Sequence, residues 1–107
     1  MAEPPLPAGP HVTPETVVRR ERLTACRFVD DWAVVMVTRE NRVYRFEGTG
    51  ARIVSLAEDP VSLAGLCDAI CREYDAPRER VETDVTGFVR DLLARKVLVI
   101  ARPEREN

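Results

Sequence analysis

The sequence is short of the residues that site chemistry usually draws on. It has one histidine, His11, and three cysteines, and aromatic residues make up only 6%. His11 lies among prolines with no partner positions nearby, so it reads as neither a general base nor a metal ligand. Cys67 and Cys71 fall four apart on one helical face, like half of a metal site. Cys26 alone would still leave a zinc shell short of its usual four ligands. No other histidine could activate a thiol as a nucleophile. The cysteines therefore read as small core residues. An odd number without paired short spacing argues against a disulfide framework, and a reducing cytoplasm is the expected location.

Long apolar runs are lacking too. Nothing approaches the ~20 residues needed to span a bilayer, and Glu3 and the prolines stand where a signal peptide would carry a basic region and an apolar core. No membrane partner is expected. Charge of one sign is also lacking: 16 Lys and Arg stand against 18 Asp and Glu, a net charge of −2. No broad field draws this chain to nucleic acid, which is disfavoured as a partner. At 107 residues the chain makes one domain.

What is present has a clear order. Pro4, Pro5, Pro7, Pro10 and Pro14 crowd the N-terminus. They cannot donate backbone hydrogen bonds and favour extended conformations. Residues 1–15 are therefore expected to be a disordered tail, 16–101 the folded domain and 102–107 a C-terminal tail. The stretch 16–23 is compatible with a short charged strand at a sheet edge. Residues 32–38 (WAVVMVT) make the best strand, rich in Val and bounded by Asp30-Asp31 and by Arg39-Glu40-Asn41. The latter is a hairpin-length link in which Asn41 is the residue most tolerant of positive φ.

The pivot of the chain is residues 42–56 (RVYRFEGTGARIVSL). Arg42–Phe46 alternate polar and apolar, with Tyr44 and Phe46 on one face and Val43 and Arg45 on the other. After Gly48-Thr49-Gly50 the spacing becomes helical. That turn has no following lysine to make it a phosphate-binding loop. Helices are expected at about 49–58, from Ser62 as N-cap, and from Pro77 to about Lys96. In the last, Val81, Val85, Phe88 and Leu92 form one stripe, while Asp84 and Asp91 lie seven apart on one side, as a solvated face or as the polar rim of a groove. Val97–Ile100 reads as a last strand or a helix-end plug. The fold class is α+β.

No catalytic constellation emerges, and the chain reads as a binding protein rather than an enzyme, with no cofactor and no metal. An edge strand offers unpaired backbone groups that a peptide can join as an added strand. A cleft between 42–46 and the third helix is geometrically reasonable, with Val85, Phe88 and Leu92 available to line pockets.

Three stretches in order, VYRFxxTGARIVxL, SLxxLCDAICREYD and VETDVTGFVRDLLARKVL, resemble the PqqD family, also described as the RiPP recognition element. The likeness covers roughly 17–100. It implies a winged helix-turn-helix-like domain, three antiparallel strands followed by three helices. It also implies that the leader of a ribosomal precursor peptide docks as an extra strand in the cleft against the third helix. The implied peptide-binding residues are Val43, Tyr44, Arg45, Phe46, Asp84, Val85, Phe88, Asp91 and Leu92. The implied partners are the precursor peptide and a modifying enzyme such as a radical SAM enzyme, a protease or a cyclase. Where the family often has Asn before the first helix, this chain has Glu47. Two other readings share the architecture: a winged-helix DNA-binding regulator, and an accessory subunit of a partner enzyme. Exposed strand edges leave homodimerisation open.

Overall fold

Strand-forming residues dominate the first half of the chain and helical spacing the second, and the structure divides accordingly. The computed structural model describes residues 10–101. In chain order its elements are β1 (Val17–Arg20), β2 (Thr24–Val29), β3 (Trp32–Val37), β4 (Arg42–Glu47), α1 (Thr49–Leu56), β5 (Val61–Ser62), α2 (Leu63–Glu73), α3 (Arg78–Ala94) and β6 (Leu98–Ile100). This is the α+β arrangement expected, with the larger sheet ahead of the helices. No described helix is long and apolar enough to cross a membrane.

The strands form two antiparallel sheets, in the orders β2-β3-β4 and β5-β1-β6. Two details differ from the sequence reading. The strand expected across 16–23 is the shorter β1, and it belongs to the second sheet with β5 and β6, where Val18 is fully buried. The Val-rich β3 has β4 on one side and, on the other, β2, which the sequence reading left unassigned. Asp30-Asp31, taken there as a boundary, is the two-residue turn of that hairpin, with Asp30 at φ 53°. Asn41 also takes the left-handed conformation, at φ 54°, as its position predicts.

The N-terminal boundary needs correction. Residues 1–9 and 102–107 lie outside the described residues, but residues 10–15, expected in the disordered tail, are docked on the domain. Val12 is buried in the core cluster. Proline lacks a donor but keeps its carbonyl, and the first turn of a helix has N–H groups with no partner inside the helix. In α2 those donors are met from three places. Leu63 N–H bonds Thr16 O at 2.8 Å, Ala64 N–H bonds Pro14 O at 2.9 Å, and Gly65 N–H bonds the Ser62 hydroxyl at 2.9 Å. Gly65, a weak helix former, is also accounted for. A Cβ there would come within 3.2 Å of both Ser62 Oγ and Val61 Cγ2.

One core joins the two sheets to the helices. Val35 and Val37 of β3, Ile53 and Val54 of α1, Leu66 of α2, and Val89 and Leu92 of α3 are all essentially inaccessible. Val97 and Leu98 close the far end. Arg52 of α1 forms a bidentate pair with Glu73 of α2, at 2.8 and 2.9 Å.

Helix α3 ends in a left-handed cap: Val97 N–H bonds Leu92 O and Lys96 N–H bonds Leu93 O, with Lys96 at φ 69°. A Cβ is strained in that region and glycine is not. Lys96→Gly is therefore expected to stabilise the domain by roughly 1 kcal/mol, seen as a melting temperature higher by about 4–8 °C.

Candidate functional site

Among the described residues strand β4 has one neighbour, β3, and its other edge is open. Which groups line that edge follows from one bond beyond the strand. Gly48 N–H donates to Asp31 O at 2.9 Å. Bonded and non-bonded pairs alternate along an antiparallel ladder. The pairs Phe46↔Ala33, Tyr44↔Val35 and Arg42↔Val37 are then the bonded ones. The N–H and C=O groups of Val43, Arg45 and Glu47 point to the open edge.

Side chains alternate in the same register. Those of Val43 and Arg45 lie on the sheet face turned away from the helices. There Val43 is 60% exposed, and the Arg45 guanidinium sits 4.7 Å from the centre of the Trp32 ring. Tyr44 and Phe46 point the other way and pack against the core. Their rings stack at 6.3 Å, and Phe46 meets Phe88 of α3 edge-on at 5.7 Å. Gly48, at φ 57°, turns the chain from β4 into α1 and is the residue at the helix cap, the place read from sequence as Glu47. Two residues on, a Cβ at Gly50 would lie 3.1 Å from Phe88 Cζ and 3.7 Å from Phe46 Cβ. Glycine there lets α3 close onto the strand-to-helix turn.

The wall opposite the strand is α3. Val81, Val85, Val89 and Leu92 face the core. Phe88 stands at the border, half-buried. Beyond it, away from the core, come Asp84, Gly87 and Asp91. Arg95, one turn further on, carries its guanidinium 5.2 Å from the Tyr44 ring centre and bonds both Asp91 carboxylate oxygens at 3.0–3.1 Å. The cleft opens at that end into a depression of about 610 Å³ lined by Glu40, Asn41, Arg42, Val43, Tyr44 and Arg95.

The nine residues singled out from sequence thus divide. Tyr44, Phe46 and Phe88 bring rings to the junction of β4 and α3, and Asp84 and Asp91 lie on the polar flank of α3, paired with Arg80 and Arg95. Val43 and Arg45 bring backbone only. Val85 and Leu92, expected to line pockets, are 2% and 0% exposed and lie in the core instead. An apolar stripe on a helix marks its buried side, and the accessible wall is the polar flank next to it. Sequence reasoning read Gly50 only as part of a turn, not as the point where Phe88 packs, and did not single out Arg95, whose signal was its place four residues beyond Asp91.

The rest of the surface chemistry is muted. Burial raises the Cys26 and Cys67 thiols above their ordinary value, which lowers their thiolate content. Among the described residues no three His, Cys, Asp or Glu side chains are grouped as metal ligands. Several α3 arginines face acids: Arg78 pairs with Asp68 and Glu82, Arg80 with Asp84, Arg95 with Asp91. This mixed surface is unlike a recognition helix presented to phosphate.

The family model described as coenzyme PQQ synthesis protein D (PqqD) matches residues 33–98, from β3 to the start of β6. No curated protein matches. Among solved structures, TbiB1 in complex with the TbiA(β) leader peptide is similar at 27% identity and a TM-score of 0.73, over 79% of this chain and 99% of that one. A second is the PqqD truncation of Methylobacterium extorquens PqqCD, described as a functional, stand-alone RiPP recognition element. It shares 17% identity and a TM-score of 0.67 over 83% of this chain and 95% of its own. At that identity it speaks to the fold alone. A match over more than half of the chain is decisive for membership: this protein belongs to the PqqD family.

Proposed function

We propose that this protein is a stand-alone recognition element that binds the leader of a ribosomal precursor peptide and presents it to a separate modifying enzyme. The observation that carries the reading is the open edge of β4, with the backbone groups of Val43, Arg45 and Glu47 facing a cleft walled by Phe88, Asp84 and Asp91. A leader segment joins β4 as a fourth strand. Main-chain bonds supply affinity, and the side chains it turns inward meet Tyr44, Phe46 and α3. Family membership and the likeness to a leader-bound TbiB1 support the same reading. The chain's contribution is binding, and the chemistry belongs to its enzyme partner, of the radical SAM, protease or cyclase kind.

The test is an amide NMR titration of labelled protein with a synthetic leader of the precursor peptide encoded beside it. Shifts should concentrate in 42–47 and 84–96. Equal binding of a precursor stripped of its leader would overturn the proposal. So would shifts confined to the outer sheet face, where Val29, Met36 and Val43 are exposed; those would assign that face to an enzyme or a second copy.

A further inference from the structure

Three of the four glycines at or beyond β4 have a local reason. Gly48 adopts a positive φ, Gly50 makes room for Phe88, and Gly65 has Ser62 and Val61 against it. Gly87 has none. It lies in the middle of the 17-residue α3, without a positive φ, and a Cβ placed on it would meet nothing within 4 Å. Glycine in a helix interior is less favourable than alanine. Among the described residues, neither conformation nor packing asks for it.

Its place on the helix offers a reason from outside the chain. Gly87 is three residues after Asp84 and four before Asp91, so the three share one flank. That flank lies beyond Phe88 and Arg95, which themselves touch Phe46 and Tyr44 of β4. Between two acidic side chains the helix thus has a notch down to bare backbone, on the exposed flank that adjoins Phe88 and Arg95. From this geometry, and resting on the strand-addition reading, we infer that Gly87 is the close-approach point for the leader. Its missing side chain leaves room for one bulky leader residue, seated on α3 between Asp84 and Asp91.

Two variants test this against the synthetic leader of the adjacent precursor, by calorimetric titration and thermal melting. Gly87→Ala fills open space and improves helix propensity, so the melting temperature should rise by several degrees while leader affinity falls about tenfold. Gly87→Leu should keep the fold and lose about a hundredfold. An alanine scan of the leader supplies the complement: the single bulky position most costly in the parent should, once trimmed, bind the Gly87→Leu protein better than the untrimmed leader does. If both variants bind within twofold of the parent while Arg45→Pro loses tenfold or more, the notch is wrong and strand addition stands. If Arg45→Pro also binds normally, both fall.

Discussion

An Arg45→Pro chain is expected to stay folded and to lose between tenfold and a hundredfold in leader affinity. The register makes the two effects separable. Arg45 N–H is directed away from β3, so proline there removes no hydrogen bond of the native ladder. Proline is tolerated on an edge strand when its missing donor faces solvent. The local loss is the Arg45 guanidinium over Trp32 and its exposed pair with Glu47 at 3.3 Å. Those contacts are worth about 1 kcal/mol. For the bound leader the loss is larger. A carbonyl of the added strand is left without its donor, at about 1–3 kcal/mol, and the ring stands in the plane of approach. Each 1.4 kcal/mol is about tenfold in affinity. Arg45→Ala is the control, since it gives up the same side-chain contacts but keeps the N–H, and it should bind within about twofold of the parent. Tyr44→Pro is the converse, because Tyr44 N–H is in the ladder and its loss should unfold the hairpin. If Arg45→Pro bound as well as Arg45→Ala, the leader would not use this edge.

The same register shows where the sequence could and could not be read. Alternation in Arg42–Phe46 was enough to place Tyr44 and Phe46 on one face of a strand, and Gly48 and Gly50 marked the turn into α1. Both are local signals. β2 was missed because Thr24–Val29 turns Cys26 inward between exposed Ala25 and Arg27, too little apolar periodicity to stand out. Its identity as a strand comes from pairing with β3. The second sheet was beyond local reading for the same reason. β1, β5 and β6 have four, two and three residues and exist only because they meet. The docking of Pro10–Glu15 likewise depends on a distant need, the unpaired N–H groups at the start of α2. In the cleft, the apolar stripe of α3 pointed to Val85 and Leu92, but a stripe does not say which of its members border solvent. That takes the position of β4 against the helix.

Leu92 and Phe88 give the sharpest check on that border. Leu92 is inaccessible, held among core residues. Leu92→Ala deletes buried methyl and methylene groups and leaves a cavity, at a cost of about 2–5 kcal/mol. In a domain of this size each kcal/mol lowers the melting temperature by about 4–8 °C. Total stability of a small domain is only about 5–15 kcal/mol, so this one change should bring the midpoint down by about 8 °C or more. Once measured at a temperature where the chain is still folded, its leader affinity should be within about twofold of the parent. Phe88 stands half in the core and half at the cleft. Its loss gives up the edge-on contact with Phe46, worth about 0.5–1.5 kcal/mol beyond burial, and uncovers Gly50. Because the ring is only partly buried, Phe88→Ala should cost about 1–3 kcal/mol, less than Leu92→Ala. It should nevertheless weaken the leader by tenfold or more, since the ring borders the added strand. The ranking by melting temperature and the ranking by affinity must therefore run in opposite orders. If both measurements ranked the variants the same way, the leader would be sensing loss of stability rather than loss of a wall, and the border between core and cleft would lie elsewhere on α3.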